Sequence, residues 1–573
     1  PYREGQGRFH AEARVKGVTL FYAPGWPEIR GLDAELVFDG PSMRAVATRG
    51  LMAGIAITQA EANSADYRES ILAVQATARG DAGRAIRLLQ DSPLGPTLGA
   101  GFGELNGSGP VTGELAMVLP IKDFERRVVT VMATLDGINL QQRQQAVEVS
   151  DLKGVLWVRN REIEAPTLSG QLLGGPLQVS IKTMTQKNGD LSTQVNAQGT
   201  VAAGLLRPVA RLPSNAGISG TADWRGYLTV ERSADREVPV RGTLRLSSDL
   251  RGFASKLPEP FAKTADAARP LTITASFGDD GGPQIQAQLG RDVHALLQWR
   301  SKPQDPPIER GIVSFGTSAP TALPRAAGLW LAGRLESASL SDLLELKWDQ
   351  PRGRPLYEWL GGVDLSIQRL EVLGYAFANA SGRMRPGNGA WEIDVTSEDA
   401  SGHLIVPYTF PGEVPMVLDL DRLHFGGSVR SSEGETDPRQ LPVIHVDIRD
   451  LQFEGRQYGH LQAELARGTA GMTLNQFTMK HAAFTAKGRG SWLVREAGAE
   501  CRLEFDAEST NVLAFMNAMQ LGTLIAGDHG RISANLSWPG PPESSAIERL
   551  SGRLEMAAEN GRLTSVEPGA GRV

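Results

Sequence analysis

Eight histidines are the residues best suited to acid–base or metal chemistry: His10, His294, His403, His424, His445, His460, His481 and His529. No two stand at metal-ligand spacing, and no H-E-x-x-H occurs. His10 and His445 fall on the polar phase of alternating segments, so the histidines are expected to be solvated strand-face residues. Asp419 and Asp421 share one strand face, as do Asp447 and Arg449. Paired carboxylates can act as general acid and base, but they also decorate any water-facing strand, and that is the reading adopted. Asp279–Asp280–Gly281–Gly282 lacks the spacing of a calcium loop and reads as a turn. The stretch GAGFGELNGSG (99–109) has neither a Walker lysine nor full dinucleotide spacing. It precedes a strand at 111–119, whereas a phosphate cradle should open a helix, so turn glycines are expected there. No G-x-S-x-G nucleophile elbow is present. Cys501 is the single cysteine, which rules out an internal disulfide and a thiolate cluster. The chemistry-bearing residues therefore predict no catalytic site, no metal and no cofactor.

What remains to be explained is the framework. Hydrophobic residues make up 41% of the 573 and charged residues 22%, a composition that folds. Glycine is 65 of 573, above the average of about 7%, while aromatics are only 6%; many reversals with few aromatic anchors point to β structure. Net charge is −6 with a pI near 5.9, and the signs are mixed along the chain. No basic stripe is offered to nucleic acid, so none is expected as a partner. No apolar run reaches the roughly 18 residues of a membrane-spanning helix.

The dominant signal is strict alternation, which puts successive side chains on opposite faces of a strand. In GRFHAEARVKG (7–17), Phe9, Ala11, Ala13 and Val15 alternate with charged residues. The same grammar recurs with Leu115, Met117 and Leu119, with Val129 and Val131, and around Ile273. It returns with Leu365 and Ile367, with Ile393 and Val395, and with Ile444, Val446 and Ile448 against a wet His445 and Asp447. Toward the end it carries Leu503 and Phe505, then Leu554 and Met556. Glycine, Asn, Asp and Ser clusters between these runs read as hairpin turns. Short helices are expected near 82–90, 202–211, 339–347 and 510–525. The last has an apolar side (Val512, Leu513, Phe515, Met516, Met519, Leu521) and no Lys or Arg opposite it, so it is expected to dock on the sheet rather than on a membrane. No linker composition divides the chain, and 1–573 is read as one continuous unit.

Three β architectures fit such a pattern. A parallel β-helix needs shorter, more regular strands, and an outer-membrane barrel needs aromatic girdles that this composition cannot build. The expectation is an all-β fold: a long curled, mostly antiparallel repeating sheet whose apolar side forms an open hydrophobic groove, with a few short helices. At about 15 residues per strand and turn, some 35–40 strands at about 4.8 Å would extend on the order of 170–190 Å.

Several stretches resemble the AsmA-like family of Gram-negative envelope proteins, in its YhdP branch. They are FYAPGWPEIRGLDAELVFDG (21–40), SDLRGFASKLPEPFAK (248–263), GAWEIDVTSEDASGHLIVP (389–407) with LPVIHVDIRDLQFEG (441–455), and the ending GRLTSVEPGAGRV (561–573). They keep the family's order and span nearly the whole chain. The resemblance implies a bridge-like lipid transfer protein in the periplasm, anchored to the inner membrane by a segment outside this chain. The C-terminal end is likewise expected to lie outside it. Implied partners are phospholipids, the inner and outer membranes, and other envelope proteins. The family carries no catalytic residues over.

An apolar trough suits that role physically. Each buried CH₂ contributes about 0.8 kcal/mol, so a chain of some 16 carbons gains on the order of 10 kcal/mol when fully covered. The apolar-phase residues named above, from Phe9 to Met556, are therefore expected to line the groove and bind lipid. A bulge would shift the phase by one and flip a strand. A periplasmic scaffold without cargo is the rival reading. A polysaccharide-active enzyme would need clustered carboxylates and exposed aromatics along a cleft.

Overall fold

Alternating strands with one polar face must pair side by side and leave the other face to be covered or used. A computed structural model describes residues 9–563 except 23, 67, 93–104, 121, 124–125, 143–147, 211, 236, 279–281, 301–306, 317, 348–354, 411, 427–436, 497, 521–524 and 543–548. Of the described residues 67% lie in strands and 7% in helices. Of the 34 strands among the described residues, 32 form one sheet.

Neighbours in the sheet are neighbours in sequence. His10–Leu20 pairs with Ile29–Asp39, which pairs with Ser42–Met52, and so on to Ser551–Glu559. Among the described residues all pairings are antiparallel except three. Ile308–Phe315 runs parallel to Gly328–Ser339, Gly328–Ser339 to Leu360–Val372, and Met416–Phe425 to Ile444–Phe453. A parallel step requires the chain to cross back before starting the next strand, and it does so between the two strands of each of these pairs. Among the described residues the first strand pairs only with the second and Ser551–Glu559 only with His529–Pro539, so the sheet is open.

Strand ends collect on two rims. Four hairpins on one rim are two-residue turns with both residues at positive φ: Ala53–Gly54, Leu173–Gly174, Leu373–Gly374 and Glu454–Gly455. This is type I′ geometry, whose twist matches that of the strands. Glycine takes the second position freely, and the first residue bears a cost of roughly 1–2 kcal/mol. The same rim holds every described α-helix: α1 (Ala82–Asp91), α2 (Ala203–Ala210), α3 (Leu340–Leu344) and α4 (Val512–Ala518). Each coincides with a segment expected to be helical, with α1 running one residue beyond 82–90. Side-chain caps start three of them. Asp81 accepts from Gly83 N, Ser339 from Asp342 N and Asn511 from Ala514 N.

Two expectations need correction. Two of the 32 strands, Leu105–Ser108 and Phe253–Ala254, lie alongside others rather than extending the series. Among the described residues thirty remain in succession, which at about 4.8 Å each extend on the order of 140 Å, less than expected. Helices, crossovers and the 249–270 loop consume chain without adding rungs. Leu105–Ser108 also lies within the glycine-rich stretch read as a turn; its backbone pairs with Asn139–Gln142 instead. Residues 99–104 and 279–281 of the two glycine-rich segments lie outside the described residues.

The helical rim is tied across its middle. Ser214 Oγ donates to Lys347 O at 3.0 Å, Asn215 Nδ2 to Glu345 O at 2.8 Å, and Lys347 N to Asn215 Oδ1 at 2.8 Å. Six ladder steps, about 29 Å of sheet, separate the strands that these segments flank. The accessible surface is 35543 Å², against roughly 20,000 Å² for a compact globule of this mass. One face of most strands is therefore not covered by a second layer.

Candidate functional site

Residues directly opposite one another in paired strands share a face, so the register traces each face along the sheet. Val15 lies opposite Ala34, and the line runs on through Ala47, Ala60, Ala76, Leu115, Val131 and Val158 to Ile163. Two residues further, Ala165 faces Ile181. The line then passes Val195, Leu228, Leu244, Ala275, Ile285 and Leu297 to Gly311. From Val313 it continues through Leu331, Val363, Met384, Ile393, Leu404, Leu418, Val446 and Ala463. It ends through Phe477, Gly488, Phe505, Ala534 and Leu554. No charged residue interrupts it.

The other apolar-phase residues named from sequence flank this line on the same face. Met117 opposes Val129, and Leu119 opposes Leu72. Ile273 lies two residues from Ala275. Leu365 opposes Gly382, which opposes Val395, and Ile367 opposes Ala380. Ile444 and Ile448 bracket Val446, Leu503 precedes Phe505, and Met556 opposes Ile532. Most are half-buried and Ile448 is buried, while Leu554 and Met556 are exposed on the last described strand of the sheet. Phe9 sits just before the first strand and is exposed. Bulges do change the phase. After the register shift between Ile448 and Leu451, the apolar side moves to Leu451 and Phe453. In Val128–Gln142, a shift at Asp136–Ile138 moves it from Leu135 to Ile138 and Leu140.

The opposite face is polar. Between Asp364 and Gln462 its register line reads Asp364, Arg383, Asp394, His403, Asp419, Asp447, Gln462. These groups pair across strands. Arg383 bonds Asp364 at 3.3 Å and His403 bonds Asp394 at 3.1 Å. Arg449 lies between Asp419 and Asp421, at 2.9 and 3.1 Å, so this carboxylate pair is an exposed ion-pair network. His294 departs from the solvated reading. It is buried, with a ring nitrogen 3.3 Å from Arg291 O; nearby, Ser314 Oγ donates to Ser318 O in the crossover that follows its strand.

Asp447 accepts from His460 Nε2 at 2.7 Å and Gln462 Nε2 at 2.8 Å. The Gln462 amide and then His460 hold its carboxyl below the ordinary aspartate value. A lowered carboxylate adds stability above its unfolded pKa that is lost as pH falls through the lowered value. Asp447→Asn is expected to flatten the loss of stability with pH on the acid side only, as read by urea unfolding between neutral pH and pH 3.

Three of the four described helices, α1, α2 and α4, lie over parts of the apolar face. Ala82 of α1 joins Ile138, Leu152, Ala165 and Leu168. Beside α2, Ala203 packs with Val201, Ala222 and Phe253. Around α4, Phe515 meets Phe484 edge-on at 5.3 Å and Met519 joins the cluster of Ala483, Ala486 and Ala507. Helix α4 thus docks on the sheet, as expected. A cavity of about 180 Å³ remains beneath it, walled by Phe484, Ala507, Val512, Phe515, Ile532 and Met556 among others. Among the described residues no cluster of three His, Cys, Asp or Glu could hold a metal, and no helix is long and apolar enough to cross a membrane.

Fold and face together define a repeating β-groove protein: one extended open sheet, apolar on one side and ionic on the other. The chain belongs to the YhdP family, whose model, described as "YhdP protein", matches residues 1–573. It is 20% identical over 598 residues to the "Intermembrane phospholipid transporter YhdP" of Escherichia coli (strain K12). The match covers 99% of this chain and 45% of that protein, so the chain spans less than half of its relative. No solved structure matches.

Proposed function

We propose that residues 1–573 form one continuous section of a passive conduit that carries phospholipids across the periplasm and so sustains the outer-membrane barrier. The carrying observation is the uninterrupted apolar register line from Val15 to Leu554. Acyl chains lie along this line, and headgroups stay at the rims in water. Because no step of the line is polar, moving a chain by one rung exchanges one apolar contact for another. The 20% identity to an intermembrane phospholipid transporter supports the same cargo. The protein is anchored to the inner membrane through a segment outside this chain, and it carries out no chemical step. Mass spectrometry of lipids co-purifying with the chain tests the reading. Several phospholipids per chain are expected; a lipid-free chain of the same fold would replace the conduit with a scaffold.

A further inference from the structure

A phospholipid on this face needs a place for its phosphate as well as for its acyl chains. A cavity of about 400 Å³ opens at the helical rim between α1, Pro27 and the Ala53–Gly54 turn, and Arg84, Arg87, Leu88 and Asp91 line its helical side. The two guanidinium groups outnumber the one carboxylate. Arg84 is already held in place, because its Nη1 donates to Gly54 O at 2.9 Å. Gly54 has a φ of +82°, and a Cβ there would lie 2.8 Å from the Arg84 guanidinium. At this φ any other residue is strained, and its Cβ would push the Arg84 guanidinium aside. That single bond leaves the other N–H groups of Arg84 for a ligand, and a guanidinium matches the geometry of phosphate oxygens.

The cavity also adjoins the apolar face. Ile55 follows Gly54 directly, and Ile55, Ile57 and Leu32 are buried. Ile57 opposes Gly50 on one side and Ala78 on the other, and so continues the apolar side of the sheet. A cationic cavity at the rim end of the apolar side is the arrangement that a charged head on a hydrocarbon tail requires.

We propose that this cavity is a headgroup site, in which Arg84 and Arg87 bind the phosphate of a phospholipid whose acyl chains run from this rim onto the half-buried Ala60 and Ala76 next along the apolar face. The assignment rests on the lipid-conduit reading and adds a place where the cargo is recognised by its charge. A free phosphate ion shares the chemistry but gains nothing from the apolar stripe.

The test compares loading of the chain from vesicles containing either phosphatidylglycerol or a diacylglycerol with the same acyl chains. Wild type is expected to take phosphatidylglycerol at least 10-fold better. Arg84→Ala with Arg87→Ala should remove that preference and leave diacylglycerol loading unchanged. Gly54→Ala, which keeps both charges but displaces Arg84, should lose part of it. Arg245→Ala, exposed on the polar face, is the control, and circular dichroism checks the fold of each variant. If the double variant keeps the preference, or loses both lipids equally, the headgroup site is overturned while the conduit stands. If wild type takes up neither lipid, the conduit reading itself fails and this site with it. Inorganic phosphate titrated against the lipid-free chain, followed by ³¹P line width, gives the remaining arm: binding as tight as that of the lipid would reassign the cavity to free phosphate.

Discussion

Val446→Asp is expected to stop lipid passage while the sheet survives. Val446 lies on the apolar register line between Leu418 and Ala463 and is half-buried, so the chain can still pair around it. A lone carboxylate there meets hydrocarbon whenever an acyl chain is in place, at a cost of several kcal/mol even after relaxation. A penalty of about 3 kcal/mol corresponds to a loss of roughly 100-fold in occupancy at that rung. Ile393→Asp, three strands earlier on the same line, should act alike. The matching control must sit on the polar face and hold no partner. Asp447 fails that condition, since it accepts from His460 and Gln462. Glu464 is the better choice: it is exposed and opposes His445, and Glu464→Lys should be nearly silent. Photocrosslinking of lipid to the chain, beside an outer-membrane permeability assay in cells, reads both. Equal effects from the inward and outward charges, with the fold intact, would leave the scaffold reading.

Much of this architecture is legible in the sequence because the strand period of two is short and robust. His445 and Asp447 against Ile444, Val446 and Ile448 need only five residues to declare their faces. The helices are legible for a different reason. Asp81, Ser339 and Asn511 are N-caps, and each stands just ahead of its helical segment. What is not legible is where the period slips. Asp136–Gly137 and Arg449–Asp450 each insert an extra polar residue at a bulge, so the alternation read from one end predicts the wrong face beyond it. The type I′ turns are also hidden, because Ala53, Leu173, Leu373 and Glu454 are not the Asn or Asp that usually mark the first position.

The apolar face is under-read from sequence where it is built from small residues. Ala34, Ala47, Ala60 and Ala76 carry its line through four strands with little hydrophobic signal. Gly382 and Gly488 belong to it too, although neither has a side chain. At Gly488 a Cβ would lie 2.5 Å from the Phe477 ring and 2.7 Å from Phe505 Cβ, so neighbouring side chains occupy the space that glycine leaves. Such positions are set by what packs across the strands, which no single strand's pattern reports. Arg84 and Arg87 are hidden for a related reason: their cavity is closed by a turn some thirty residues earlier in the chain.

A charge at mid-length should divide the conduit in two. Leu244 lies near the middle of the register line, opposite Leu228 and Ala275. Lipids on one apolar face are in series, so every molecule that travels the length must pass this rung. Leu244→Asp should therefore empty the section on one side of it and leave the other filled. With photocrosslinkers at Met117 and at Leu404, one position should keep its lipid adducts and the other should lose at least 10-fold. Which side stays filled reveals the direction of supply. Lipids that entered sideways along an open rim would keep both positions labelled, because each rung would fill independently. A scaffold that binds lipid by accident would lose adducts only next to the substituted residue. The tie between Ser214, Asn215 and Lys347 spans this stretch of the helical rim, which makes sideways entry least available there and the contrast between the two crosslinking positions largest.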